Sequence, residues 1–122
     1  MSIPITVFVF GSVVPDDNGK DKLQVAVSPE VLNLKQNTAT GEVTIHFQIE
    51  SNDYFFPDVG VKFTSPGYES QFGEPSYGDD RKSAEVTSKN SDGGAYAYRV
   101  FLTDKTGRLK ASVDPVVQND SR

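Results

Sequence analysis

His46 is the only histidine of this chain and the first residue to consider for catalysis. Its nearest neighbours on the same strand face are Thr44 and Gln48, and the carboxylates of Glu42 and Glu50 lie further out. Catalysis by histidine usually requires a nucleophile and a carboxylate that orients the ring, and neither is adjacent. No serine stands in a G-x-S-x-G elbow and no glycine-rich phosphate loop is present. The sequence therefore predicts a surface histidine and a protein that is not an enzyme, with no catalytic residue and no cofactor.

Three groups of acidic and amide residues could supply oxygen ligands for calcium. They are Asp16, Asp17, Asn18 and Asp21; Asp79 and Asp80; and Asp114, Asn119 and Asp120. None has the EF-hand spacing, because Asn18-Gly19 comes too early in the first group. Aspartate and asparagine are also common turn residues. We expect solvated turns and predict no metal site, while a calcium-stabilised structural domain is a further alternative.

Tyr68, Phe72 and Tyr77 are the candidate binding residues. They belong to residues 65–82, a long stretch that is rich in glycine and proline and has no strand alternation. Loops of this length are uncommon unless they are functional or disordered, and tyrosines on the loops of a rigid scaffold suit recognition of a protein or a sugar. In the competing interpretation, the three rings fold back and cover the open end of the domain.

The charge balance restricts the class of partner. The 122 residues include 17 acidic and 12 basic ones, which give a net charge of −5, and no basic cluster occurs. Nucleic acid and anionic membrane surfaces both require a positive face, so neither is expected as a partner. The longest apolar run, residues 7–10, is far too short for a membrane span. The chain has no cysteine and no visible secretory signal, which favours a cytoplasmic location.

Alternation of apolar and polar residues predicts strands along the chain, and no segment has a helical period. Residues 43–49 are the clearest case, with apolar side chains on one face and polar ones on the other. Residues 5–10 are apolar on both faces, which predicts a strand that is covered on both sides or lies at an interface. The length fits one domain, which we place at residues 1–117, followed by a frayed tail at residues 118–122. Asp114-Pro115 is expected to kink or end the last strand.

Two spacings resemble the second and sixth strands of the immunoglobulin-like sandwich. Gly41-Glu42-Val43-Thr44-Ile45-His46-Phe47 is similar to G-x-V-T-[LI]-x-C, and Asp92-Gly93-Gly94-Ala95-Tyr96-Ala97-Tyr98 is similar to D-x-G-x-Y-x-C. The resemblance puts Phe47 and Tyr98 where the two cysteines would lie, so that an aromatic contact between the sheets would replace the disulfide. It also implies a tyrosine corner at Tyr96, whose hydroxyl would bond to nearby backbone. The expected fold is an all-β, antiparallel two-sheet immunoglobulin-like sandwich with an extra N-terminal strand.

More narrowly, the whole chain is similar to the DP-EP family of small bacterial proteins. The likeness is carried by residues 43–49, by residues 94–98 and by the ending Val113-Asp114-Pro115-Val116-Val117-Gln118-Asn119-Asp120. The family carries no known activity. The resemblance therefore implies a sandwich and leaves the function open.

The function that these observations favour is a non-enzymatic module that binds a protein partner or forms a homo-oligomer. The contact would use the loop at residues 65–82 or the two-sided apolar strand at residues 5–10. A carbohydrate-binding module is the alternative, because sugars stack on exposed rings and Glu69, Gln71 and Glu74 lie near the tyrosines. The lack of tryptophan and of a secretory signal counts against sugar binding.

Overall fold

The computed structural model describes residues 3–34, 42–91 and 94–119 of the chain. These residues form eleven strands and one short 3-10 helix at Tyr68–Ser70. In chain order the strands are β1 (Ile3–Pro15), β2 (Asp21–Ser28), β3 (Val31–Asn33), β4 (Val43–Ile49), β5 (Tyr54–Phe55), β6 (Val61–Phe63), β7 (Ser76–Tyr77), β8 (Ser83–Ser88), β9 (Gly94–Asp104), β10 (Lys110–Val113) and β11 (Val116–Asn119). Within the described residues, no helix has the length and apolar character needed to cross a membrane.

The strands form two sheets that pack against each other, which confirms the predicted all-β sandwich. One sheet has the order β2-β1-β4-β8-β7. In the other, the long strand β9 pairs with β10 and β11 on one side and with β5 and β6 on the other, and β3 lies beyond β11. Between the sheets lies a core of aliphatic and aromatic side chains, with Phe47, Phe56 and Tyr98 among the largest fully buried ones.

The prediction of purely antiparallel sheets is wrong, because two of the pairings are parallel. β1 runs parallel to β4, and β11 runs parallel to β3. Parallel neighbours need a crossover connection, and β3 supplies it: the chain leaves the first sheet after β2, contributes β3 to the second sheet and returns as β4. Both sheets are therefore mixed.

The extra N-terminal strand, β1, lies inside the first sheet rather than at its edge. It pairs with β2 on one side and with β4 on the other. Val7 and Val9 point into the core and are fully buried, whereas Phe8 and Phe10 point outward and are 40% and 42% exposed. In the single chain, only the face of β1 with Val7 and Val9 is thus covered. That the face with Phe8 and Phe10 lies at an interface remains a prediction.

The predicted aromatic contact between the sheets is confirmed. The ring centroids of Phe47 on β4 and Tyr98 on β9 are 5.6 Å apart, in an edge-to-face arrangement with an interplanar angle of 64°. The alternation predicted for residues 43–49 also holds, since every second side chain of β4 is buried. The rings of Tyr96 and Phe72 are in a T-shaped contact, and within the described residues the Tyr96 hydroxyl has no backbone partner. The Asp92-Gly93 opening of the motif lies outside the described residues.

The end of the chain follows the predicted break at proline. Asp114-Pro115 separates β10 from β11, and the Pro115 carbonyl accepts a hydrogen bond from the Tyr98 N–H at 3.0 Å. β11 extends to Asn119, whereas the predicted domain spans residues 1–117. The remainder of the expected tail, residues 120–122, lies outside the described residues.

Candidate functional site

Phe72, one of the three predicted binding aromatics, belongs to the core. It is 4% exposed, and its ring stacks on Phe63 with centroids 4.1 Å apart. Its backbone forms an isolated bridge to Ser88 of β8, which fixes the loop against the first sheet. A side chain in this position stabilises the fold and has no surface to offer a partner.

Tyr68 and Tyr77 are half-buried and also pack on the core. Tyr68 stacks on Phe63 at 5.9 Å, and Tyr77 packs on Phe56 at 5.8 Å. The Tyr77 hydroxyl accepts hydrogen bonds from the N–H groups of Gly60 and Val61, at 2.7 and 3.0 Å. These contacts agree with the interpretation in which the loop rings cover the end of the sandwich.

The same two tyrosines nevertheless line a cleft of about 370 Å³. The cleft lies between β6, at the edge of the second sheet, and residues 73–75, which lead into β7 at the edge of the first sheet. Asp58, Lys62 and Glu74 place two negative charges and one positive charge on its walls. This size falls at the lower end of the range for ligand pockets, so the cleft suits a small or narrow ligand.

A second candidate surface is the outward face of the first sheet, defined here as the Phe8/Phe10 face. The cross-strand neighbours of the two phenylalanines are small or uncharged: Phe8 pairs with Ser28 and Gln48, and Phe10 pairs with Ala26. By the strand registers, the face comprises Thr6, Phe8, Phe10, Ser12, Val14, Lys22, Gln24, Ala26, Ser28, Thr44, His46, Gln48, Ser76, Ser83, Glu85 and Thr87. An apolar pair whose cross-strand neighbours carry no charge is a feature of contact surfaces.

No known family model matches this chain. No curated protein is similar to it either. The likeness to immunoglobulin-like and DP-EP proteins therefore rests on the motifs alone, and the two surfaces must be interpreted from their own chemistry.

His46 has a carboxylate partner that its own strand did not reveal. Its Nδ1 atom lies 3.4 Å from Oε1 of Glu85, which faces it across the β4–β8 pairing. The two side chains are 40% and 50% exposed on the flat outer sheet face, and neither lines the cleft. Exposed pairs of this kind contribute little to stability. Only the register of β4 against β8 could have identified Glu85, because the two residues are far apart in sequence.

The acidic groups serve as turn acceptors. Oδ1 of Asp16 accepts hydrogen bonds from the N–H groups of Asn18 and Lys20, and Oδ1 of Asp80 accepts one from the Lys82 N–H. Asp114 forms an ion pair with Arg99 at 2.8 Å. Residues 3–34, 42–91 and 94–119 contain no group of three or more histidine, aspartate or glutamate side chains arranged to hold a metal ion. Asp120, a member of the third predicted group, lies outside the described residues.

Proposed function

We propose that this protein is a non-enzymatic interaction module that self-associates through the Phe8/Phe10 face. The observation that carries the proposal is the pair of phenylalanines, 40% and 42% exposed, on adjacent outward positions of a central strand. Single exposed apolar residues are ordinary on protein surfaces. Two aromatic rings side by side on a rigid sheet are less ordinary and indicate a contact surface.

The charge distribution on this face permits a second copy of the chain as the occupant. Two copies with a net charge of −5 repel each other, so a stable contact needs a region without a negative excess. The Phe8/Phe10 face has this property, since its Lys22 and Glu85 offset each other and Glu85 also lies against His46. Glu42 and Glu50 adjoin the ends of β4 at the rim, and a charged rim around an apolar centre is usual at interfaces.

The backbone of the face is fixed before any contact forms. β1 pairs with β4 over residues 3–9 and with β2 over residues 8–15, so its outward side chains stand on a backbone that does not have to become ordered. A preorganised surface loses less conformational entropy on association. A two-fold axis through Phe8 and Phe10 would place the same patch on both copies, as isologous dimers require.

The double variant Phe8→Ser, Phe10→Ser is expected to convert a dimer of this chain to a monomer. Sedimentation equilibrium measures the change, with the dissociation constant rising by at least about tenfold if the lost contact is worth more than 1.4 kcal/mol. Both side chains point out of the core, so the circular dichroism spectrum and the unfolding midpoint should stay close to those of the wild type.

A matched control removes as much exposed apolar surface elsewhere. Val31 and Val59 are 59% and 55% exposed and lie outside the Phe8/Phe10 face, so Val31→Ser with Val59→Ser should leave the solution mass unchanged. A wild-type chain that is monomeric at every concentration would overturn the proposal. A dimer that survives the phenylalanine substitutions would move the interface to another surface.

A further inference from the structure

On the edge of β6 that faces away from β9, some backbone N–H and C=O groups have no hydrogen-bond partner among the described residues. The Phe101 N–H donates to the Gly60 carbonyl at 2.8 Å, and the Thr64 N–H donates to the Ala97 carbonyl at 3.0 Å. Hydrogen-bonded and non-hydrogen-bonded pairs alternate along an antiparallel ladder. Lys62 therefore bonds toward β9, and the backbone groups of Val61 and Phe63 point to the opposite side.

Only one of those groups is occupied by a described residue. The Val61 N–H is bonded to the hydroxyl of Tyr77. Since β6 pairs with β9 alone, the Val61 carbonyl, the Phe63 N–H and the Phe63 carbonyl have no partner among the described residues. These two acceptors and one donor are spaced along β6 as on the edge of a regular strand.

Val61 and Phe63 both line the cleft, where the two residues are 2% and 4% exposed. The opposite wall, residues 73–75, is held to the first sheet by the Gly73 N–H, which donates to the Thr87 carbonyl at 3.0 Å. Pro75 has no N–H, and among the described residues no backbone hydrogen bond joins residues 73–75 to β6. The result is a slot between the edges of the two sheets, with an unpaired strand as its floor.

We propose that the cleft binds an extended polypeptide segment of a partner protein, which adds to β6 as a further strand. An extended backbone presents donors and acceptors at the period of the β6 edge and would form up to about three hydrogen bonds with it. A sugar has hydroxyls without this fixed alternation, so the backbone groups favour a peptide over a carbohydrate. The cleft lies away from the Phe8/Phe10 face, so this inference and the proposed function can fail separately.

The walls indicate the composition of the segment. The rings of Tyr68 and Tyr77 and the exposed side chain of Val59 provide apolar contacts for alternate side chains of an added strand. Asp58 and Glu74 outnumber Lys62 in the cleft, and the whole chain has a net charge of −5. Complementary charge favours a segment with apolar residues at alternate positions and basic rather than acidic residues between them.

Gly73 lines the cleft and has space for a side chain, so substitutions there test the site. A Cβ atom built on Gly73 meets only the Thr87 carbonyl oxygen, at an ordinary 4.0 Å, and the residue needs no positive φ. Gly73→Trp should therefore fold and fill the cleft with its indole ring. Gly73→Ala is the matched control, since it has the same backbone restriction without the bulk.

The test begins with a random peptide library displayed on phage and selected against the wild-type chain. Enriched peptides should be basic, with alternating apolar residues. The synthetic peptide with the highest affinity should bind wild type and Gly73→Ala equally in calorimetry, and Gly73→Trp at least about tenfold more weakly. Methylation of the amide nitrogens that face β6 should weaken it by a similar factor, since each blocks a backbone hydrogen bond.

Four results would overturn the inference. One is a selection that enriches no peptide above the background of the bare support. Another is a peptide that binds Gly73→Trp as tightly as wild type, which would place its site elsewhere. A third is a peptide whose affinity changes neither when one alternate set of its amides is methylated nor when the other set is. This result would exclude strand pairing. The fourth is a linear glucan or chitin oligosaccharide that shifts the amide resonances of Val61 and Phe63 when the selected peptide does not.

Discussion

Tyr98→Ala is expected to lower the free energy of unfolding by roughly 3–5 kcal/mol, the range for removing a buried aromatic ring. The ring is 1% exposed and lies at the centre of the sandwich. Its centroid is 5.6 Å from that of Phe47 on the opposite sheet and 5.2 Å from that of Phe63. The substitution therefore leaves a cavity in the contact that joins the two sheets. Urea unfolding measures the loss.

Tyr98→Phe is the matched control and should behave in the opposite way. The Tyr98 hydroxyl is buried and has no hydrogen-bond partner among the described residues. A buried polar group without a partner costs about 1–3 kcal/mol, so its removal should leave stability unchanged or raise it by about 1 kcal/mol. A loss of more than about 1 kcal/mol would show that the hydroxyl has a hydrogen bond in solution.

The same hydroxyl makes stability depend on pH in the alkaline range. Burial raises the pKa of Tyr98 well above that of a free tyrosine, which is about 10. The folded protein thus retains this proton at a pH where the unfolded chain loses it. The contribution of Tyr98 is constant below about pH 10; above it, the free energy of unfolding falls by up to about 1.4 kcal/mol per pH unit. The difference in unfolding free energy between wild type and Tyr98→Phe, measured from about pH 9 to 11, should show this decline; a constant difference would contradict it.

The parts of the fold that were predicted correctly depend on local periodicity. The alternation of β4 follows from the two-residue repeat of a strand, and it brings Phe47 to the face that meets Tyr98. The position of β1 could not be predicted in this way. Whether a strand lies at an edge or between two others depends on partners that are distant in sequence, and β1 lies between β2 and β4.

The candidate site shows the same limit. Composition identified Tyr68, Phe72 and Tyr77 as unusual for a loop, but the side to which each ring turns is decided by tertiary contacts. Phe72 turns inward because its backbone is bridged to β8 and its ring stacks on Phe63. The unpaired edge of β6 could not be predicted from the sequence, because apolar and polar residues alternate in the same way in paired and unpaired strands.

Tyr77→Phe is expected to lower the free energy of unfolding by about 1–3 kcal/mol, although it removes a single oxygen atom. That oxygen accepts from both the Gly60 and the Val61 N–H, so its removal leaves two backbone donors without their acceptor. Tyr77→Ala also removes the packing of the ring on Phe56 and beneath the Arg81 guanidinium. The total loss should then reach roughly 3–5 kcal/mol.

Tyr68→Phe is the control for this pair, because the Tyr68 hydroxyl makes no hydrogen bond within the described residues. It should change stability by less than about 0.5 kcal/mol, as surface substitutions usually do. Equal unfolding free energies for Tyr68→Phe and Tyr77→Phe would show that the bonds to Gly60 and Val61 do not form. Tyr77→Phe also releases the Val61 N–H to the open edge of β6, so this variant should be less stable yet bind the selected peptide at least as tightly as wild type. A parallel loss of peptide affinity and stability would instead show that the Tyr77 hydroxyl holds β6 in the geometry that an added strand requires.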